Sequence, residues 1–136
     1  QRNGKIFLVY SAAGTDALYC LGMCTADENA DLLDPASWTK SEHPVFQSSR
    51  KNGQFGPGHN SFTKDEEGHD VMVYHARQEE RYLVDEGYQP LYDAGRNATL
   101  MRIYWNEDGT PNFSVPIPSG KGHDIPTEFT AKVIVK

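Results

Sequence analysis

The chain has 136 residues, 38% of them hydrophobic, with 19 Asp and Glu against 13 Lys and Arg and a formal net charge of −6. That length suits one domain with enough apolar material for a core, and the acidic balance argues against a phosphate backbone, hence against nucleic acid as a partner. The longest apolar runs, such as Ile6 to Tyr10, fall far short of the ~20 residues a membrane-spanning helix needs, so no membrane partner is expected.

Gln1, Arg2 and Asn3 lead into a polar turn with no initiator Met and no leader pattern. This start reads as a fragment, or as a chain from which an N-terminal part has been removed. Beyond it, short runs of β-branched and aromatic residues alternate with Gly, Pro, Asn and Asp clusters, which predicts an all-β chain. Lys5 to Ser11 is the first strand, and its near-continuous apolar character predicts burial on both faces. Ala17 to Thr25 is the second strand. Asp34-Pro35 opens one helical turn with Asp34 as its cap. Trp38 to Phe46 reads as an outer strand interrupted by Pro44. The glycine-rich stretch Asn52 to Gly58 reads as a loop opening into His59. Glu66 to His69 is a hairpin turn before a strong strand, Asp70 to Arg77. Residues 78–97 are polar and read as a long surface loop. Thr99 to Trp105 is a strand, Asn106 to Thr110 a turn, Asn112 to Ile117 a short edge segment and Glu128 to Val135 a closing strand.

Cys20 and Cys24 would lie about 13 Å apart along one strand face, too far for a disulfide. They read as two small buried thiols. The informative pattern is an internal repeat: Ile6-Phe-Leu-Val-Tyr-Ser-Ala resembles Val71-Met-Val-Tyr-His-Ala, and each copy leads through a loop into a second strand. Two such units read as about two blades of a β-propeller, one over roughly residues 1–50 and the next, with a closing strand, over roughly 51–136. A ring closes with roughly 4 to 8 blades, so this reading makes 1–136 a single partial domain. The alternative is a self-contained β-sandwich.

Four motifs follow one another in order: Gly56-Pro-Gly-His-Asn-Ser-Phe, the strand Val71-Met-Val-Tyr-His-Ala-Arg, Gly95-Arg96, and Trp105-Asn-Glu-Asp-Gly-Thr-Pro. Together they resemble glycoside hydrolase family 43, its arabinofuranosidase, arabinanase and xylosidase members in particular. The resemblance implies the C-terminal part of a five-bladed propeller enzyme that inverts the anomeric centre of arabinose- or xylose-containing plant polysaccharides. Inversion needs one protonated and one ionised carboxylate about 6.5–9.5 Å apart. No Asp or Glu here sits in a matching motif, so no catalytic carboxylate is assigned, and activity of this chain alone is not expected.

By the same resemblance, His59 holds a hydrated calcium in the central channel. Arg96 reaches into the sugar pocket, where its fork suits vicinal hydroxyls. Phe55 stands where an aromatic could stack on a sugar face. His69 and His75 read as surface residues, and Arg77 as a strand-end arginine paired with a neighbouring acid. The implied partners are arabinan-, arabinoxylan- or xylan-derived oligosaccharides, together with the missing blades or other copies of the chain. The implied source is a polysaccharide-degrading bacterium, with extracellular, periplasmic and cytoplasmic settings all open. The competing reading is a non-catalytic carbohydrate-binding or structural module.

Overall fold

A computed structural model describes residues 1–120. The expected strand Glu128 to Val135 lies outside them. Every strand pairing is antiparallel. Three 3-10 turns, at Pro35–Ser37, Arg50–Asn52 and Pro90–Tyr92, are the helical elements among the described residues.

One sheet holds β1 (Lys5–Ala12), β2 (Cys20–Asp27) and β3 (Thr39–Lys40) in that order. A second holds β4 (Phe55–Lys64), β5 (Asp70–Arg77) and β6 (Asn97–Arg102), and β7 (Tyr104–Trp105) pairs with β8 (Pro111–Asn112). The two copies of the repeat occupy equivalent positions: β1 pairs with β2 as β5 pairs with β6. The sheets share one core, with Leu21, Met23 and Phe46 from the first packed against Met72, Tyr74 and Met101 from the second. Phe46 meets Tyr74 edge to face, at 4.9 Å between ring centres, a favoured aromatic geometry.

Several expectations change. β1 is not buried on both faces: Leu8 is 53% exposed, because no described element packs over the face it points to. The outer strand shrinks to Thr39–Lys40 plus a bridge between Leu21 and Phe46, as Pro44 cannot donate to a ladder. The glycine-rich stretch is not a free loop. β4 begins at Phe55 and runs through Gly56, Gly58 and His59, with register shifts on either side of Gly58. The strand expected from Thr99 to Trp105 breaks at Ile103, whose amide donates to the Asp70 carbonyl at 2.8 Å. Both cysteines are free. Asp34 caps its turn as expected, accepting from the Ala36 amide at 2.9 Å.

Candidate functional site

Antiparallel pairing brings three segments to one end of the molecule: the 13–19 connection, the start of β4 and the 78–96 loop. Asp16, 3% exposed, fastens them. Its carboxylate accepts from the Leu18 amide on its own loop and from the Leu83 amide on the long loop, each at 2.8 Å. The Ala17 amide donates to the Arg81 carbonyl at 2.9 Å. Gly56 passes beneath with φ +58°, and a methyl there would stand 2.3 Å from the Asp16 carbonyl oxygen. Only glycine combines that φ with that approach.

His59 lies in this region, exposed, with φ +52°. A non-glycine residue in the left-handed region is uncommon, and bulges re-aim side chains beside functional sites. The shifts around Gly58 leave the His59 amide free of the β4–β5 ladder, and it donates to the Ser11 hydroxyl of β1 at 2.8 Å. The His59 ring faces His75 at 6.2 Å between centres and 26° between planes. His75 in turn faces Tyr19 at 5.8 Å and 15°. Three rings from three segments therefore stand in a row, and Gly58 gives them room: a methyl there would lie 2.3 Å from the Tyr19 ring.

The electrostatics keep His75 neutral. Burial pushes its pKa down to about 4, and the charges of Arg96, Arg77 and His59 act in the same direction. His75 is thus an uncharged, half-buried member of the cluster and not the surface residue expected from its strand phase. Arg77, 2% exposed, does pair with an acid as expected. Its Nε donates to Asp93 Oδ2 at 2.8 Å and its Nη2 to the Pro90 carbonyl at 3.1 Å. Burial alone would raise the Asp93 carboxyl, but the Gly95 amide, the Tyr88 hydroxyl and Arg77 outweigh it and hold it below the usual range.

Of the residues singled out from sequence, the structure brings His59 and Arg96 into one electrostatic neighbourhood, since both act on His75. Phe55 is 7% exposed and stands across the ladder from Arg77. Tyr19, Asp16 and the Arg77–Asp93 pairing partner were missed. No local motif marks them, because their roles depend on loops that meet only in three dimensions.

The donor set around His59 offers one imidazole and no carboxylate among the described contacts, with two arginine charges near by. That is not the oxygen cage calcium prefers. The other candidate cluster, Asp65, Glu67 and His69, lies in the β4–β5 turn at the far end. Arg102 bridges Asp65 at 3.1 Å and Glu67 at 3.8 Å, so that cluster is an ion-pair network. A groove of about 370 Å³ between Phe7, Phe62, Trp105 and Phe113 also lies at the far end, away from His59.

The family model described as glycosyl hydrolases family 43 matches residues 1–111. The chain belongs to this family. It is 54% identical over 121 residues to an extracellular exo-α-(1→5)-L-arabinofuranosidase of Streptomyces avermitilis, covering 88% of this chain and 24% of that protein. It is 53% identical over 120 residues to α-L-arabinofuranosidase B of Pyricularia oryzae, again covering 88% and 24%. The chain therefore spans about a quarter of the length of these curated relatives. Among solved structures, an α-L-arabinofuranosidase from Lactobacillus brevis superposes with a TM-score of 0.81 at 52% identity, over 89% of this chain and 36% of that one. A thermostable family-43 glycoside hydrolase superposes with a TM-score of 0.64 at 30% identity, over 89% and 35%. The described residues of this family 43 chain are thus all-β.

Proposed function

We propose that this family 43 chain is part of the propeller of an inverting exo-α-L-arabinofuranosidase acting on arabinan and arabinoxylan side chains. In this reading it contributes the ion-and-sugar side of the active site, and protein outside the chain contributes the carboxylates. The observation that carries the reading is His59: a strained, bulged position turns its ring out beside neutral His75, within the field of Arg96. Backbone strain of about 1–3 kcal/mol persists where the surroundings enforce it, and such positions cluster at active sites.

Each three-stranded sheet is read as most of one blade. In the second sheet β4 carries His59 next to β5; the equivalent position beside β1 would take the strand bearing the general acid. Asp16 and Asp93, two acids at this end of the molecule, are otherwise engaged. Asp16 is held by two backbone amides, and Asp93 by Arg77, Tyr88 and Gly95. Neither is free to activate water or protonate a leaving oxygen, which supports carboxylates from outside the chain. Arg96 would bind sugar hydroxyls through its fork, and His59 would hold a hydrated ion, calcium by family resemblance, beneath the sugar. Phe55 would support the floor of this site and not stack on a ring. An extracellular setting accords with the Streptomyces relative.

The test is hydrolysis of p-nitrophenyl α-L-arabinofuranoside and of the matching β-D-xyloside by the whole protein, with the product anomer followed by NMR. The expected result is faster release of arabinose with inverted configuration, lost in His59→Ala. Oligosaccharide binding without turnover would favour the non-catalytic module, and preference for the xyloside would overturn the substrate assignment.

A further inference from the structure

We propose that Asp93 is a positioning residue: held between buried Arg77, Tyr88 and the Gly95 amide, it sets the turn that presents Arg96 to the site. The inference rests on the sugar-binding reading of Arg96.

The long loop between β5 and β6 has little regular structure of its own, so something must fix its last residues. Asp93 gathers three bonds in three directions. Oδ2 accepts from Arg77 Nε at 2.8 Å and from the Tyr88 hydroxyl at 3.0 Å, and Oδ1 accepts from the Gly95 amide at 2.7 Å. The last of these closes an Asx-type turn directly before Arg96. Arg77 is the rigid end of the arrangement: it is the last residue of β5, 2% exposed, and it also holds the Pro90 carbonyl. Arg96 completes the loop by donating from Nη2 to the Leu91 carbonyl. The position of the Arg96 guanidinium is therefore inherited from a buried ion pair on the strand next to His59's own. A charge-assisted pair of this kind carries geometric specificity along with its energy.

The test is a double-mutant cycle in the whole protein, read as kcat/KM on p-nitrophenyl α-L-arabinofuranoside. Arg96→Ala is expected to lose about 10- to 100-fold, the range for a hydrogen bond from a charged group. Asp93→Asn is expected to lose about tenfold, carried by KM, and less than about twofold in the Arg96→Ala background. Asp93→Glu should recover part of the loss. Equal losses from Asp93→Asn in both backgrounds would show that it acts on the fold and not through Arg96, and would overturn the inference. A silent Arg96→Ala would instead overturn the sugar-binding reading, and this inference with it. Removing one member of a buried pair can prevent folding. Should Asp93→Asn not fold, Tyr88→Phe carries the same cycle, because it keeps the Arg77–Asp93 pair and removes one bond to the carboxylate; a loss confined to the Arg96 background supports the inference, and a loss equal in both backgrounds overturns it.

Discussion

The amide of His59 donates to the hydroxyl of Ser11 at 2.8 Å, so the strained residue of one sheet is tied to the end of β1 in the other. The bond exists because the register shifts of β4 remove His59 from its own ladder. Ser11→Ala should cost about 1 kcal/mol, the usual worth of one such bond. Urea denaturation of the full protein should show the midpoint falling with an unchanged slope, and, on the proposed function, turnover of p-nitrophenyl α-L-arabinofuranoside should fall as well.

Gly58 and Gly56 should respond differently to the same change. At Gly58 an added methyl meets the Tyr19 side chain at 2.3 Å. Gly58→Ala should therefore destabilise by about 1–3 kcal/mol through overcrowding, and adding Tyr19→Ala should restore part of it. At Gly56 the obstacle is the Asp16 backbone carbonyl, and φ is +58°. No side-chain removal relieves that, so Gly56→Ala should be destabilising in every background. Thermal melts of the two single variants and their Tyr19→Ala doubles compare the cases.

Asp70 links pH to stability. Lys64, at 2.7 Å, is the main cause of its lowered pKa, with Trp105 Nε1 and Arg2, each at 2.9 Å, assisting against the opposing effect of burial. A carboxyl lowered in the folded state binds protons more readily when unfolded. Its contribution is therefore present above the ordinary value of 3.8 and lost as pH falls through the folded value. Asp70→Asn should cost about 1–2 kcal/mol at pH 7, from hydrogen bonds to charged groups. The difference from the unaltered protein should shrink once the pH drops below 3.8; a gap that persists undiminished at lower pH would contradict this.

Phe46 tests the shared core. It is 1% exposed and meets Tyr74 of the other sheet edge to face. Phe46→Ala should cost about 3–5 kcal/mol, and calorimetry should show both sheets melting together, because the cavity lies between them.

The sequence by itself determined the all-β class and much of the strand placement, but not β4, whose glycines read as a loop. Asp70–Arg77 lies where β-branched residues and a Glu-Glu-Gly turn put it, and the Asp34 cap and the tyrosine-bearing repeat were likewise legible from short-range chemistry. His59 and Arg96 were singled out through the family resemblance of the motifs that carry them, which lie in short stretches of sequence. Burial and partnership were decided only in three dimensions. Whether β1 was covered on both faces depended on which elements pack over each face. Whether Phe55 could meet a sugar depended on what lay over its ring. His75 became a neutral partner of His59 chiefly because packing half-buries it, with the charge of Arg96 from the long loop acting in the same direction, and strand phase alone carries no information about what packs over a side chain from another loop. The bulge that turns His59 outward is likewise a relation between β4 and β5: glycines permit it, and the pairing partner across the ladder determines where it falls.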